Sequence, residues 1–345
     1  ISAPALNGWV GCGRVAWERF FDRYVTSHVG SFPLDYSEGN VRKAFSDMIA
    51  LGVDVPPVPQ LRDFISMYLN PLVEAGLLEG SGTTFKGDPE ALESARRTQG
   101  SLPELQLVLE LARAARARWV RVPVTGAFTL ASRIYVNDPT RGMRSTALAR
   151  RELVTGPLAE YVSNFVRLAT QLPGAVVVID EPVLGMVVGA RTSLFGYSED
   201  DILETYAVEL KPARGLLRGT HVCGQVNERL LSILVEAESI DFLNHEFHDS
   251  PANLSLPWRR HLERGDKFLS PGVFSTKSAV VEDVEEIYRL ITRILDSVGV
   301  EYVNLFSGDC GFGGLKGREG AYEVALGKLR NLVAAVRAVN DRQGK

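Results

Sequence analysis

The 345-residue sequence predicts a single (β/α)8 barrel of the TIM type, because three observations agree on it. Short apolar runs rich in β-branched residues recur along the chain, and each leads through a turn into an amphipathic helical pattern. We count eight such runs, and eight βα units in one chain close into a barrel. A doubly wound open sheet is the alternative, but no Gly-x-Gly-x-x-Gly turn follows any run.

The predicted strands are apolar and β-branched, and they span residues 26–32, 51–55, 119–124, 175–180, 216–222, 240–245, 267–274 and 301–306. The predicted helices have apolar residues three and four positions apart, and they span residues 38–50, 61–78, 101–117, 157–171, 198–213, 226–237, 280–298 and 319–340. The uninterrupted Val-Val-Val-Ile run at 176–179 is typical of a strand buried on both faces.

Two segments fall outside the repeat. Residues 1–25 form a predicted N-terminal extension, followed by one catalytic barrel over residues 26–345. Residues 79–100 contain several glycines and predict a long insertion between the second and third strands. A glycine-rich loop near the barrel mouth is also a candidate lid.

Composition excludes several classes of protein. The net charge of −4 gives no basic footprint for nucleic acid. No apolar run approaches the length of a membrane span, and the first thirty residues do not resemble a signal peptide. The three cysteines, Cys12, Cys223 and Cys310, are too few and odd in number for a disulfide framework, which indicates a reducing cytoplasm.

Four candidate metal ligands lie where predicted strands end: His221, Cys223, Glu246 and Cys310. Chemistry in such barrels sits at the C-terminal ends of the strands, and an i, i+2 pair leaving a strand points to one side. One imidazole, one carboxylate and two thiolates are ligands that zinc prefers. Their dispersal over three elements is typical of a catalytic site more than of a structural one.

Each of these residues taken singly also has a structural explanation, since a lone buried cysteine behaves as a small hydrophobe. His245 and His248 lie beside Glu246 and are alternative ligands. Two thiolates and a carboxylate more than neutralise Zn²⁺, so such a site activates water poorly. It suits a substrate thiolate that must stay nucleophilic, which indicates alkyl transfer to sulfur.

The motifs around these residues resemble the C-terminal catalytic half of the cobalamin-independent methionine synthase family, over about residues 26–340. They read His-Val-Cys-Gly at 221–224, Asn-His-Glu-Phe at 244–247 and Gly-Asp-Cys-Gly at 308–311. The resemblance implies a barrel that transfers a methyl group to the zinc-bound thiolate of homocysteine. It also implies that all four candidate ligands hold the zinc.

Two further motifs imply where homocysteine binds. Val29, Gly30 and Ser31 resemble a family loop whose backbone and serine receive the carboxylate of the amino acid. The Ile-Asp-Glu-Pro motif at 179–182 repeats a family motif whose aspartate receives the ammonium, which places Asp180 and Glu181 in the site. A helix cap or an internal ion pair is the structural alternative for these two carboxylates.

Departures from the family pattern fall on the methyl-donor side. Full-length members carry a second, N-terminal barrel that is not present here. The family's Gly-Pro-Val-Thr segment is matched to residues 122–125, and Thr129, with Phe128 beside it, stands where the family has a pterin-stacking tryptophan. Threonine offers no aromatic face for stacking.

Two polar positions also differ. Lys277 stands in place of the family's catalytic histidine, either as an acidic or charge-stabilising group or as a surface lysine that opens a helix. Gln60 or Asp63 takes the place of a glutamate that assists amine binding.

We therefore expect a zinc-dependent methyltransferase that makes methionine from homocysteine. The expected donor is a methylated corrinoid, either methylcobalamin or a corrinoid protein, or a simpler methylated pterin, and not methyl-folate polyglutamate. A corrinoid protein or a separate chain replacing the N-terminal barrel is the expected partner. The alternatives are a zinc methyltransferase for another thiol or methylated sulfur compound, and a non-catalytic zinc-bound subunit of a methyl-transfer complex.

Overall fold

The computed structural model describes residues 16–344. Its strands are β1 (Glu79–Ser81), β2 (Thr84–Lys86), β3 (Val120–Thr125), β4 (Ile134–Tyr135), β5 (Ala175–Asp180), β6 (Leu217–Val222), β7 (Phe242–Glu246) and β8 (Phe268–Gly272). Its α-helices are α1 (Glu38–Leu51), α2 (Ser66–Glu74), α3 (Pro89–Leu92), α4 (Pro103–Ala114), α5 (Ala127–Ala131), α6 (Arg151–Leu153), α7 (Ala159–Ala169), α8 (Leu184–Val187), α9 (Glu199–Leu210), α10 (Glu228–Glu236), α11 (Trp258–Gly265), α12 (Val284–Val298) and α13 (Ala321–Gln343).

Five parallel strands form the regular part of the barrel, in the order β3-β5-β6-β7-β8. Asp180 at the end of β5 lies opposite His221 in β6, and His221 lies opposite Asn244 in β7. Glu246, the last residue of β7, lies opposite Gly272. This register brings the polar residues at the strand ends to one edge of the sheet, where the chemistry of such barrels is found.

Isolated bridges complete the ring. Three chain segments that are not regular strands occupy the remaining barrel positions and connect β8 back to β3. The parallel bridges are Leu269 with Val303, Thr26 with Phe306, Ser27 with Val55, and Pro57 with Arg121. Eight parallel segments therefore surround one interior, and the predicted barrel is confirmed.

The predictions of regular strands at 26–32, 51–55 and 301–306 are wrong in detail. Helix α1 extends to Leu51 and ends at Gly52, whose φ of 82° turns the chain before it reaches the barrel. Residues 300–302 form a 3-10 turn. Side chains replace ladder bonds in these segments; the carboxylate of Asp54, for example, accepts a hydrogen bond from the backbone N–H of Thr26.

Helix α11, between β7 and β8, is absent from the sequence-based prediction. Only Trp258, His261 and Leu262 of this eight-residue helix are buried, and most of the others are charged. The apolar spacing that reveals the longer helices is therefore too sparse here. The eight predicted helices are all present, as α1, α2, α4, α7, α9, α10, α12 and α13, and all but α1 and α13 are shorter than predicted.

The insertion at residues 79–100 folds into a small structure of its own. Strands β1 and β2 form an antiparallel hairpin, and β2 pairs in parallel with β4. Phe85 in β2 is fully buried and anchors the hairpin.

The described part of the predicted N-terminal extension packs against the N-terminal end of the barrel. The indole Nε1 of Trp17 donates a hydrogen bond of 3.2 Å to the carbonyl of Val300, and the Phe21 ring lies 5.6 Å from that of Trp119. Trp17, Phe21, Tyr24 and Val25 thus belong to the hydrophobic core. Residues 1–15, with Cys12, lie outside the described part of the chain. Among the described helices, none is both long and apolar enough to cross a membrane.

Candidate metal and substrate site

A cavity of about 470 Å³ opens at the C-terminal ends of the barrel strands. Loops from five different barrel positions contribute its walls. Its polar lining includes Ser31, Gln60, Asp180, His221, Cys223 and Cys310. The insertion at residues 79–100 contributes no described residue to this lining, so the candidate lid does not cover the cavity.

The cluster of His221, Cys223 and Cys310 forms the metal-binding part of the cavity. His221 Nε2 lies 3.0 Å from Cys223 Sγ, which lies 3.2 Å from Cys310 Sγ. All three ligand atoms lie within 4.8 Å of one another. His221 and Cys223 leave the end of β6 on one side, as the i, i+2 spacing requires, and Cys310 arrives on the loop after the last barrel segment.

The electrostatics of this cluster fit a soft divalent cation. The hydrogen bond from Cys223 and the neighbouring His221 hold the pKa of the Cys310 thiol well below its ordinary value. Burial lowers the pKa of His221, but the hydrogen bond and charge of Cys310 outweigh it and raise the pKa. Two thiol sulfurs and one imidazole are ligands that suit Zn²⁺, and both cysteines are reachable from the cavity.

Glu246 stands apart from these three residues. Its side chain is only 1% exposed, and its Oε2 lies 3.2 Å from Lys277 Nζ. The hydroxyl of Ser250 also donates a hydrogen bond to Oε2, at 3.3 Å. The structure therefore brings three of the four predicted ligands together and places the fourth beside a lysine.

The alternative ligands His245 and His248 face other partners. Nδ1 of His245 lies 3.1 Å from the carbonyl oxygen of Val222, and its ring packs 5.5 Å from that of Trp258. His248 Nδ1 lies 2.9 Å from a carboxylate oxygen of Asp249. Neither histidine joins the cluster of His221.

The predicted carboxylate loop lies at the cavity wall. Val29 and Ser31 line the cavity, and the Ser31 hydroxyl accepts a hydrogen bond of 3.0 Å from the backbone N–H of Gly313. That hydroxyl keeps its own proton to donate. Gly30 has a φ of 143°, and a Cβ there would lie 2.9 Å from Pro123 Cγ, so the turn requires glycine. Its N–H donates a hydrogen bond of 3.2 Å to His28 Nδ1.

Asp180 places a carboxylate at the cavity wall, and one of its oxygens is buried without a partner. The residue is 8% exposed and lines the cavity, and its Oδ1 has no hydrogen-bond partner among the described residues. Burial raises the pKa of Asp180 to about 6, although His221 and Arg121 oppose that shift. A buried acceptor of this kind is matched by a ligand that brings donors, such as an ammonium group.

Glu181 makes its hydrogen bonds with the start of α5. Its Oε1 accepts a hydrogen bond of 2.9 Å from the N–H of Phe128, and its Oε2 accepts bonds from the N–H and hydroxyl of Thr129. Glu181 is fully buried and does not line the cavity. Both oxygens cap the start of α5, so the structure does not bring Glu181 to the cavity wall, and its contact with homocysteine stays a prediction.

Thr129 also does not face the donor side of the cavity. Both Thr129 and Phe128 are buried in α5, and neither lines the cavity. Phe64, which is 39% exposed, lines the cavity instead and presents an aromatic ring that the sequence comparison did not identify. The inference of a changed donor from Thr129 therefore loses its structural basis.

Asp63 and Gln60 are the two residues predicted to replace the family's amine-binding glutamate, and the structure gives them different hydrogen-bond partners. The Oδ1 of Asp63 accepts hydrogen bonds from the N–H groups of Ile65 and Ser66, at the start of α2. Gln60 is buried at the cavity wall, and its Nε2 has no partner among the described residues. Both residues line the cavity, and Gln60 is the one that has an amide nitrogen without a partner.

The fold and the site define a class: a (β/α)8-barrel enzyme that gathers an imidazole and two thiols at the ends of its strands. The sequence profile of one family, "Cobalamin-independent synthase, Catalytic domain", matches residues 108–338 of this chain. That match covers well over half of the chain, and the protein belongs to this family.

Two curated relatives support the same assignment. A methionine synthase from Methanothermobacter thermautotrophicus is 34% identical over 163 residues, which cover 47% of this chain and 46% of that protein. A 5-methyltetrahydropteroyltriglutamate–homocysteine methyltransferase from Campylobacter jejuni is 32% identical over 123 residues, which cover 36% of this chain and 15% of that protein. The aligned segments therefore span less than half of each relative.

Solved structures show the same fold. A B12-independent methionine synthase from Shewanella sp. W3-18-1 in complex with selenomethionine has a TM-score of 0.63 and 15% identity, with 93% of this chain and 99% of that chain covered. A methyltransferase from Methanosarcina mazei has a TM-score of 0.64 and 14% identity, with 94% and 96% covered.

Proposed function

We propose that this protein is a zinc-dependent methyltransferase that transfers a methyl group to the thiolate of homocysteine and so makes methionine. The observation that carries the proposal is the meeting of two kinds of group on one cavity. The thiols of Cys223 and Cys310 lie with His221 at one part of its wall, and the unpartnered carboxylate of Asp180 lies at another.

The zinc-binding groups in this proposal are His221, Cys223, Cys310 and Glu246. Bound there, zinc lowers the pKa of a thiol ligand so that a nucleophilic thiolate exists near neutral pH. The exposure of both cysteines to the cavity supports a catalytic metal over a closed structural one, because a structural site leaves no position open. The same exposure argues against a non-catalytic zinc subunit.

The amino-acid end of homocysteine binds to residues that have unused hydrogen-bonding capacity. The Asp180 carboxylate accepts from the substrate ammonium, while the Ser31 hydroxyl and the Gln60 amide donate to the substrate carboxylate. These contacts fix the direction of the sulfur before reaction. Positioning of this kind contributes much of the rate of a transfer that has no acyl intermediate to stabilise.

The proposed methyl donor is a methylated corrinoid, free or presented by a corrinoid protein. Phe64 is exposed and lines the cavity, and further exposed large apolar side chains lie in connections that follow barrel strands: Tyr36, Met186, Leu194, Val280 and Val281. Exposed apolar surface beside an active cavity is typical of an interaction site, here with a donor-carrying partner. The competing donor is a methyl-tetrahydropterin, for which the Phe64 ring offers a flat face.

Methionine formation by the zinc-loaded protein tests the function and the donor together. Homocysteine is supplied with methylcobalamin in one reaction and with a methyl-tetrahydropterin in the other. Methionine only with methylcobalamin supports the corrinoid donor, whereas methionine only with the pterin overturns it. No methionine with either donor, nor with a methylated corrinoid protein, would contradict the proposed reaction.

The cysteine count supports the cytoplasm as the proposed compartment.

A further inference from the structure

The ion pair between Lys277 and Glu246 joins a surface lysine to a buried carboxylate. The side chain of Lys277 is 63% exposed, whereas that of Glu246 is 1% exposed, and Nζ lies 3.2 Å from Oε2. The Ser250 hydroxyl engages the same oxygen. Neither contact involves Oε1, so that atom is not committed by the lysine or the serine.

Lys277 is the charged partner of Glu246 in this structure. A metal ion held by His221, Cys223 and Cys310, from which Glu246 stands apart, would be a second partner for the same carboxylate. A carboxylate neutralised by an ammonium group is a weaker metal ligand than a free one. The position of the lysine thus affects how firmly Glu246 binds a metal.

A network of polar contacts holds the loop that carries Lys277. The Ser275 hydroxyl donates to Asp249 Oδ2 at 2.8 Å and accepts from the N–H of Lys277 at 3.2 Å. The N–H of Ser275 donates to Glu282, whose other oxygen pairs with the fully buried Lys328 at 2.6 Å. The base of the Lys277 side chain is therefore fixed, and only its end can move.

We propose that Lys277 is a positioning residue that competes with the metal for Glu246 and receives this carboxylate when the substrate thiolate binds. The inference rests on the proposed function of the site. His221, Cys223, Cys310 and Glu246 would hold the metal before substrate binds; the thiol would take the place of Glu246 and lose its proton to solvent, and Lys277 would then pair with the released carboxylate. Lys277 does not line the cavity, so it acts on Glu246 and not on the substrate.

Zinc affinity, measured by competition with a chromophoric chelator, tests the competition without any turnover. Lys277→Met should bind zinc about two- to five-fold more tightly, the range expected for an ion pair with one exposed partner. Lys277→Arg should stay near wild type. The control Lys86→Met removes an exposed lysine on β2 and should change nothing.

The same lysine substitution in the Glu246→Gln protein distinguishes competition for the carboxylate from simple repulsion between the lysine and the metal cation. In Glu246→Gln, the further change Lys277→Met should leave zinc affinity unaltered, because the carboxylate is gone. An equal gain in both backgrounds would show that the lysine only repels the cation, and a loss of affinity would also overturn the proposal.

Homocysteine binding gives the second readout, through thiolate-to-metal absorption of the cobalt-substituted protein. Lys277→Met should need more homocysteine for half-saturation, by the same two- to five-fold factor. An unchanged midpoint in Lys277→Met would contradict the role of the lysine. If the wild-type spectrum does not respond to homocysteine at all, the proposed function fails, while the zinc measurements still decide whether Lys277 and Glu246 compete.

Discussion

Cys310 is the residue on which the proposed zinc site depends most. It contacts Cys223 across the cluster, and its low thiol pKa makes it the group that carries negative charge most readily. Cys310→Ala should weaken zinc binding by more than about 100-fold, beyond the effect usually caused by losing a supporting residue outside the ligand set. Chelator competition measures this loss, and circular dichroism controls for folding. A zinc-replete, active variant would contradict the assignment.

Asp180 is the residue proposed to distinguish homocysteine from thiols that lack an amino-acid end. Its carboxylate has an oxygen without a partner in the described structure, and the substrate ammonium is its proposed partner. Asp180→Asn should raise the KM for homocysteine by about 10- to 100-fold, the value of a charge-assisted hydrogen bond. The KM for a simple thiol such as mercaptoethanol should barely change. Equal effects on both thiols would favour the reading in which another thiol is the substrate.

The chemistry of the site was more predictable than its contacts. Residue types at strand ends predicted the grouping of His221, Cys223 and Cys310, because register and the i, i+2 rule are local properties. The role of Glu181 was not predictable in this way, since it depends on α5 packing above β5. For the same reason, the sequence did not reveal that Phe64 and not Thr129 reaches the cavity.

Helix α5 does not line the cavity, but buried side chains fix its position next to β5. Two buried carboxylates cap its first turn: Glu181, and Glu209 of α9, which accepts a hydrogen bond of 2.7 Å from the N–H of Ala127. Burial raises the pKa of Glu181 to about 8, and burial with the charge of Glu181 raises the pKa of Glu209 well above its ordinary value. The folded protein therefore retains protons that the unfolded chain releases.

The pH dependence of stability follows from those raised pKa values. The protonated Glu181 adds to the free energy of unfolding. This contribution is fully present below the ordinary carboxyl pKa, and it is lost as the pH rises towards about 8. Glu209→Gln should keep the bond to Ala127 and reduce the alkaline loss of unfolding free energy by about 1 kcal/mol or more. Urea denaturation across this pH range tests it, with the exposed Glu204→Gln on α9 as control. Identical pH profiles for wild type and Glu209→Gln would refute it.

The sequence predicted a strand correctly where backbone-to-backbone hydrogen bonds alone form it. Strands β3, β5, β6, β7 and β8 lie within two residues of their predicted bounds at most ends, because a buried parallel strand needs a continuous apolar run. The segments near 26, 55 and 304 are irregular because side chains such as Asp54 take over their hydrogen bonds, and spacing does not reveal such substitutions.

At the scale of the whole molecule, the barrel closes through two asparagine side chains. The Oδ1 of Asn304 accepts from the N–H of Val25 and from that of Leu305, and its Nδ2 donates to the carbonyl of Arg23. Asn340 on α13 makes a matching pair of bonds to the backbone of Tyr24. These contacts join the first and last barrel segments, where only an isolated bridge connects the backbones.

Asn304→Ala should therefore destabilise the closed barrel by about 3 kcal/mol, because it leaves buried backbone groups without partners. Urea denaturation followed by tryptophan fluorescence measures the change. Asn137→Ala, at an exposed position, is the control and should alter stability little. A loss for Asn304→Ala that is no larger than the control would show that the seam is held by other contacts.

In the proposed function, the thiol of homocysteine binds a zinc ion held at the barrel mouth. X-ray absorption at the zinc edge of the loaded protein, recorded before and after addition of homocysteine, counts the sulfur ligands. We expect two sulfur ligands before addition and three afterwards, with the imidazole of His221 kept throughout. An unchanged sulfur count at saturating homocysteine, with zinc bound, would contradict it.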